Sequence, residues 1–376
     1  VIFLTVRRQW RSFDIVLALL VLGFAAYGFV MIRSATSFDV PGLAKIYSNQ
    51  KYFLAAGAAV MFAAAAIDYH FITKLFIPIY ILGLLLLGYV MLKGPDATGT
   101  ARWIDLGFFS LQPSEFMKLF LILFLAKFID KWQPTVNNVI MLALSLVFIA
   151  IPAGMIFMQP SLSACLVIVV IGVGILFVSG INYKVIFIAA LIIVPLAVFF
   201  FWDIQKPEPL LYKLHILTYQ IKRVKDYLNP PGSASGTTQI DLSLSHIGKG
   251  MLQGVGLGKG AYIPYGSNDF IFSVVGQELG FLGCAVTLAI IFLIIAKCVL
   301  TANQAVDTQG RIICAGVAIM LAFEVFVNVG VATALVPNTG MPFPFLSSGG
   351  STMVVHMAAL GLVLNVGLFK QKSLFQ

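Results

Sequence analysis

Five ionisable residues stand where a strongly apolar chain carries few. Glu115, Lys118, Glu278 and Glu324 lie inside hydrophobic runs, and Asp269 stands at the mouth of one, in "YGSNDFIFSVVGQELGFLG". A charged group within a membrane-length segment must be paired or hydrated, so each is a candidate for chemistry or for a substrate path. A carboxylate at such a mouth, like Asp269, can serve as a general base. It also follows Ser267 and Asn268 just ahead of an apolar run, where such residues cap helices, and both readings stand on the residues alone. Glu115 and Lys118, three apart on one helix face, weigh equally as a structural ion pair and as functional groups. Glu324, with Asn328 one turn later, reads as structural. Glu278 has no basic residue within a turn. It lies about two and a half helical turns beyond Asp269, on the nearly opposite face, so the two cannot act as a paired acid and base.

Other patterns point away from chemistry. In "QGVGLGKG" Lys259 is followed by Gly260 rather than Ser or Thr, and the position five residues before Gly258 is Gln253 rather than Gly, so no phosphate loop is present. His70, His215, His246 and His356 are scattered without zinc-binding spacing and read as polar-surface or packing residues. Cys165, Cys284, Cys298 and Cys314 fall in or at the ends of apolar runs, as small packing residues do. No metal-ligand set is expected.

The elements that must position these residues follow from composition. Of 376 residues 60% are apolar and 10% charged, and the mean hydropathy is +0.98; a soluble domain is about a quarter charged. The net charge of +9 comes from Lys and Arg at the ends of apolar runs, which fits membrane topology rather than nucleic acid. The fold class expected is an all-α polytopic membrane protein, a single membrane-embedded domain over residues 1–376. Ten transmembrane helices are predicted, over 14–33, 51–68, 73–93, 114–130, 137–158, 161–180, 184–202, 270–298, 311–336 and 351–369. The first, in "VRRQWRSFDIVLALLVLGF", has the basic flank of a signal peptide but no clear cleavage site, and is expected to be retained. With the N-terminus inside, short inner segments hold eleven basic residues and short outer ones five, so both termini are expected in the cytoplasm.

Three outer segments are then unusual. "KGPDATGTARWIDLGFFSLQPSE" is expected along the interface. The region 203–269, between helices seven and eight, is too long for a structureless connection and should fold back as short helices and carry part of a site. "PNTGMPFPFLSSGGS" is expected as irregular backbone buried against protein.

"NDFIFSVVGQELGFLG", "ARWIDLGFFSLQPSEFMKL", "KRVKDYLNPPG" and "TGMPFPFLSSGGS" together resemble the SEDS family of RodA, FtsW and SpoVE type, most closely the RodA type, over nearly the whole chain. The resemblance implies a peptidoglycan glycosyltransferase that polymerises lipid II at the outer face of the bacterial cytoplasmic membrane. It places the essential acid on Asp269, the Arg-Trp pair on Arg102 and Trp103, and the "QPSExxK" motif on Gln112 to Lys118, which contains Glu115. The basic residue before the loop proline falls on Arg223. Lys118, Arg102 and Arg223 would hold the pyrophosphate, Glu115 would position Lys118, and Asn268 and Glu278 would have supporting roles. A divalent cation, Mg or Mn, could share the leaving-group charge. The implied partners are lipid II, the nascent glycan chain, a class B penicillin-binding transpeptidase and other elongation or division complex proteins. Ten helices with intramembrane charges also fit a transporter that flips lipid II without chemistry, and a scaffold that activates a partner enzyme is a third reading.

Overall fold

The computed structural model describes residues 12–93, 102–105, 107, 110–132, 138–159, 161–180, 202–203, 206 and 239–369. Eleven helices and one strand pair are formed by these residues: α1 Ile15–Ala35, α2 Leu43–Ala66, α3 Tyr69–Lys74, α4 Phe76–Lys93, β1 Ile104–Asp105, β2 Ser110–Leu111, α5 Pro113–Lys131, α6 Val139–Met158, α7 Leu162–Val178, α8 Gln239–Gly250, α9 Ile271–Asn303, α10 Thr308–Ala332 and α11 Gly350–Gly367. Six of them, α1, α4, α6, α9, α10 and α11, are long and apolar enough to cross a membrane, and α7 is apolar but shorter. The protein is therefore an all-α polytopic membrane protein. The expected helix over 184–202 lies, but for its last residue, outside the described residues.

Three expected helices are redrawn. The second begins at Leu43 rather than 51, because Gly42, in the left-handed region at φ 92°, starts it and the polar stretch before Lys51 is helical too. The third is broken after Lys74: Asp68 caps α3 by accepting from the His70 amide at 2.8 Å, and α4 starts two residues later. The eighth is two helices across a break at Gly280, whose φ of 64° and ψ of −162° lie outside the helical region. An all-α expectation also missed a small antiparallel pair, Ile104 opposite Leu111 and Asp105 opposite Ser110.

The break in α9 frees four backbone groups that would otherwise pair four residues apart. The Gly-rich loop after α8 takes all four. The amides of Val255 and Gly256 donate to the carbonyls of Gln277 and Glu278, each at 3.0 Å, while the amides of Phe281 and Leu282 donate to Met251 and Leu252 at 2.8 and 3.1 Å. Within a membrane protein such exchange is what makes a discontinuous helix tolerable. The fit demands glycine: at Gly254, φ +82°, a β-carbon would collide with the Glu278 carbonyl, and at Gly280 with Leu252 and Gly254. The loop is held to the bundle by α8, whose Ser243 hydroxyl reaches Ser273 at 2.5 Å and the Ala332 carbonyl at 2.7 Å.

At the end of the bundle away from the strand pair, His70 joins two connections. Its Nδ1 is 2.8 Å from Asp68 and its Nε2 2.9 Å from Asp307, which also caps α10 through the Gly310 amide. The hydrogen bond to Asp307 raises the pKa of His70 against the effect of burial. Burial pushes the Asp307 carboxyl up, but bonds from His70, the Gly310 amide and Tyr69 hold it below its usual range.

Two outcomes follow. Gly254→Ala should lower stability by about 1–2 kcal/mol from backbone strain and by about 1–3 kcal/mol more from overpacking. Gly258→Ala, at φ +73° with open space around it, should cost only the strain; thermal unfolding in detergent compares them. The His70 contribution is fully present below the ordinary histidine value of 6.5 and is lost as pH rises through the raised one. That of Asp307 is present above the usual carboxylate range and lost as pH falls through the lowered value. The unfolding temperature should therefore decline as pH rises from 6.5 through the raised His70 pKa, and His70→Gln should flatten that limb.

Candidate active site

At the end of the bundle that carries the strand pair, α5, α7, α11 and three irregular segments enclose a cavity of about 270 Å³. Arg102 and Trp103, just before β1, line one part of it, and Glu115 and Lys118 from α5 line another. Asn268 and Asp269, from the turn that leads into α9, face into it with Ser348 and Thr352. Arg223 lies outside the described residues.

Each wall has a local reason. Gln112 is extended and Pro113 occupies the first turn of α5, where its fixed φ suits a helix start. That places Glu115 in the first turn and Lys118 one turn on. The Gln112 amide donates to Ser351 Oγ at 3.0 Å, and that hydroxyl donates to the Ser110 carbonyl at 3.1 Å, so the strand pair is tied to α11. Arg102 Nε donates to the Gln159 carbonyl at 3.1 Å, which anchors the guanidinium at the end of α6.

Asp269 does not cap α9. The N-cap is Phe270, without a side-chain capping bond, and the turn before it is secured from outside. Asn328 Nδ2 donates to the carbonyls of both Asp269 and Met341, at 2.8 and 2.7 Å. Ser347 Oγ donates to the Asn268 carbonyl at 2.6 Å, the Ser348 amide donates to the Ser267 carbonyl at 2.8 Å, and the Ser348 hydroxyl bonds the Asn268 side chain. The Pro-, Gly- and Ser-rich segment expected to be irregular and buried is so, with Phe343 and Phe345 fully enclosed. It closes against α1, where a β-carbon on Gly28 would collide with the Phe345 carbonyl.

Lys118 is the centre of a buried ionic cluster. Its ammonium lies 2.8 Å from Glu115 Oε2 and 2.5 Å from Glu324 Oε1, and Glu324 Oε2 is 2.6 Å from His356 Nε2. None of the four residues is more than 4% exposed. Glu324, expected to be structural beside Asn328, pairs with Lys118 across 206 residues, while Asn328 serves the Asp269 turn. Of the surface and packing roles expected for the histidines, His356 takes the packing one, buried against Glu324. The in-span charge was the only sequence signal for Glu324, and nothing in the spacing disclosed His356.

Glu278 belongs to other surroundings. Its Oε1 accepts from Ser34 Oγ at 2.5 Å and its Oε2 from the Gly258 amide at 3.2 Å, so it joins α1 and the Gly-rich loop to α9 and does not line the cavity. The cavity sets two cations, Arg102 and Lys118, in one enclosure with the Asp269 carboxyl. It can hold an anionic group while a carboxylate takes a proton beside it. Among the described residues no three His, Cys, Asp or Glu side chains are grouped to hold a metal.

The sequence matches the family described as "Cell cycle protein", that of FtsW, RodA and SpoVE, over residues 14–372. The chain belongs to the FtsW, RodA and SpoVE family. Within this family it is 33% identical over 377 residues, 96% of this chain and 95% of the relative, to the probable peptidoglycan glycosyltransferase FtsW of Trichlorobacter lovleyi. It is 31% identical over 361 residues, 94% of this chain and 93% of the relative, to the peptidoglycan glycosyltransferase MrdB of Escherichia coli. A chain solved in a study of a peptidoglycan synthase complex superposes with a TM-score of 0.80 at 29% identity, covering 95% of this chain and 98% of that one. The rod shape determining protein RodA of Thermus thermophilus superposes with a TM-score of 0.70 at 27% identity, over 97% and 99% of the two chains.

The two hydrogen bonds donated by Asn328 give this FtsW, RodA and SpoVE family member a testable joint. Asn328→Asp removes the donor and orphans the two carbonyls, at about 1–3 kcal/mol for each. The expected outcome is a lower unfolding temperature in detergent together with lost activity.

Proposed function

We propose that this chain polymerises lipid II into peptidoglycan glycan strands at the outer face of the bacterial cytoplasmic membrane. The observation that carries the reading is the single cavity that holds Asp269 together with Arg102 and Lys118. Membership in a family with named peptidoglycan glycosyltransferases supports it.

The chemistry is one inverting displacement. Asp269 takes the proton from the attacking sugar hydroxyl of one precursor, that oxygen bonds the anomeric carbon of the growing chain, and the bond from that carbon to the polyprenyl pyrophosphate breaks. Partial desolvation at the membrane edge strengthens a carboxylate as a base. Lys118 and Arg102 take up the charge on the leaving pyrophosphate, with Arg223 joining them from the loop; guanidinium groups suit bidentate contact with phosphate. Glu115 positions Lys118, and Trp103, 41% exposed, offers its ring to a sugar face. Asn268 supports the turn that carries Asp269, and Glu278 supports α9 from the other side.

In this reading ten helices cross the membrane with both termini in the cytoplasm, and the outer region 203–269 carries part of the active site. Docking of α8 and the Gly-rich loop onto α9 is what supports that role for the loop. The RodA type is preferred on the likeness to RodA itself. A class B penicillin-binding transpeptidase is the partner, alongside other elongation or division complex proteins. Its support is the likeness to a chain from a synthase complex that joins polymerisation to crosslinking.

The test is reconstitution of the purified protein with its partner in liposomes, supplied with lipid II. Wild type should make glycan chains and Asp269→Asn should lose about 10² to 10⁴-fold in rate, the usual worth of general-base help. Equal chain synthesis by Asp269→Asn overturns the assignment, and transbilayer movement of lipid II without chain synthesis favours a flippase.

A further inference from the structure

Glu324 and His356 stand behind the cavity wall formed by Lys118. Both oxygens of Glu324 are engaged, one by the Lys118 ammonium at 2.5 Å and the other by His356 Nε2 at 2.6 Å. The contact chain joins α5, α10 and α11, and Thr352, one turn before His356 on α11, itself lines the cavity.

Stability does not account for this cluster. Taking charges out of water costs several kcal/mol per ion, and replacing a buried ion pair with apolar side chains of similar volume is often neutral or stabilising. A lysine has a flexible four-carbon stem and three donors. Glu115 from its own helix and Glu324 from α10 engage two of those donors and leave the third for the cavity. Glu324 can hold that line only if its own carboxylate is fixed, and His356 fixes it from α11.

We infer that Glu324 and His356 are positioning residues that hold the Lys118 ammonium in register with the leaving group in the cavity. The inference rests on the reading of Lys118 as the cation that receives the pyrophosphate. Neither residue touches the substrate; they act through Lys118.

The experiment measures kcat and KM for glycan-chain synthesis from lipid II by the reconstituted protein with its partner. Unfolding temperatures are recorded for every variant. His356→Leu leaves one Glu324 oxygen without its donor. It should lower kcat by about 10²-fold, the scale of an ångström-sized misplacement, with KM changed by less than about threefold, because the lost interaction belongs to the transition state. His356→Gln, which keeps a donor near the Nε2 position, should restore kcat to within about threefold of wild type. Glu324→Gln, which keeps the shape and removes the charge, should lower kcat with the same split, and it carries the test if His356→Leu does not fold. Wild-type kcat in Glu324→Gln or in folded His356→Leu overturns the inference, and so does a His356→Gln as slow as His356→Leu. Lys118→Met separates the two levels. If it keeps wild-type kcat, the reading of Lys118 fails and the positioning role falls with it; if it alone is slow, only the positioning role fails.

Discussion

A polar group enclosed in a membrane protein must find its partner inside the protein, and the site end of this structure is arranged around that constraint. The break at Gly280 exposes two carbonyls and two amides, and the loop between α8 and α9 answers all four with its own backbone. The arrangement fixes a Gly-rich segment that would otherwise be a long connection. It also fixes the short first part of α9, Ile271–Leu279, as a rod held at both ends. Glu278 sits at one end, tied to Ser34 and Gly258. Asp269 precedes the other, its carbonyl held by Asn328.

The same constraint shapes the cavity. Asn328 lies in α10 and is fully buried; by spending both amide hydrogens on Asp269 and Met341 it sews two irregular segments to one helix. Ser347 and Ser348 complete the joint from the other side. The turn that carries Asp269 is thus held at the main-chain carbonyls of Ser267, Asn268 and Asp269. On the opposite wall Lys118 is set by ionic contacts from its own helix and from α10. Backbone bonds place the acid and charge pairs place the cation, so neither depends on an exposed and mobile side chain for its position.

Much of the scaffold was legible in the sequence, because apolar runs of membrane length report spans directly. The start of α2 was not, since Lys45, Asn49 and Lys51 interrupt the apolar pattern without preventing helix. Nor was the break in α9: "QELGFLG" reads as continuous helix, and a lone glycine there is an ordinary residue until a loop arrives to fill the gap. Glu115 and Lys118 were recognisable as a pair because their contact is local. The partner of Lys118 on α10 and the histidine behind it come from 206 and 238 residues further along the chain, and spacing carries no record of such contacts. The likeness to a known family placed Arg102, Trp103 and Asp269 as site residues, and the fold brings these three to one cavity.

The division between Asp269 and Glu278, nine residues apart in one stretch, follows from where the helix breaks. Were α9 continuous, Glu278 would be an unaccompanied carboxylate on a spanning helix, with nothing basic near it in sequence. The break two residues away changes its surroundings: the Gly258 amide comes within reach because the loop has been drawn in, and Ser34 closes the other side from α1. Among the described residues Glu278 is satisfied by neutral donors, which suits a group that links segments. Asp269 lies beyond the helix start, outside that network, in a cavity that also holds two cations. The loop that satisfies Glu278 is the end of the region that leads into the Asp269 turn. A change that undocks the loop therefore reaches Asp269 along two routes, through the chain itself and through the rod of Ile271–Leu279.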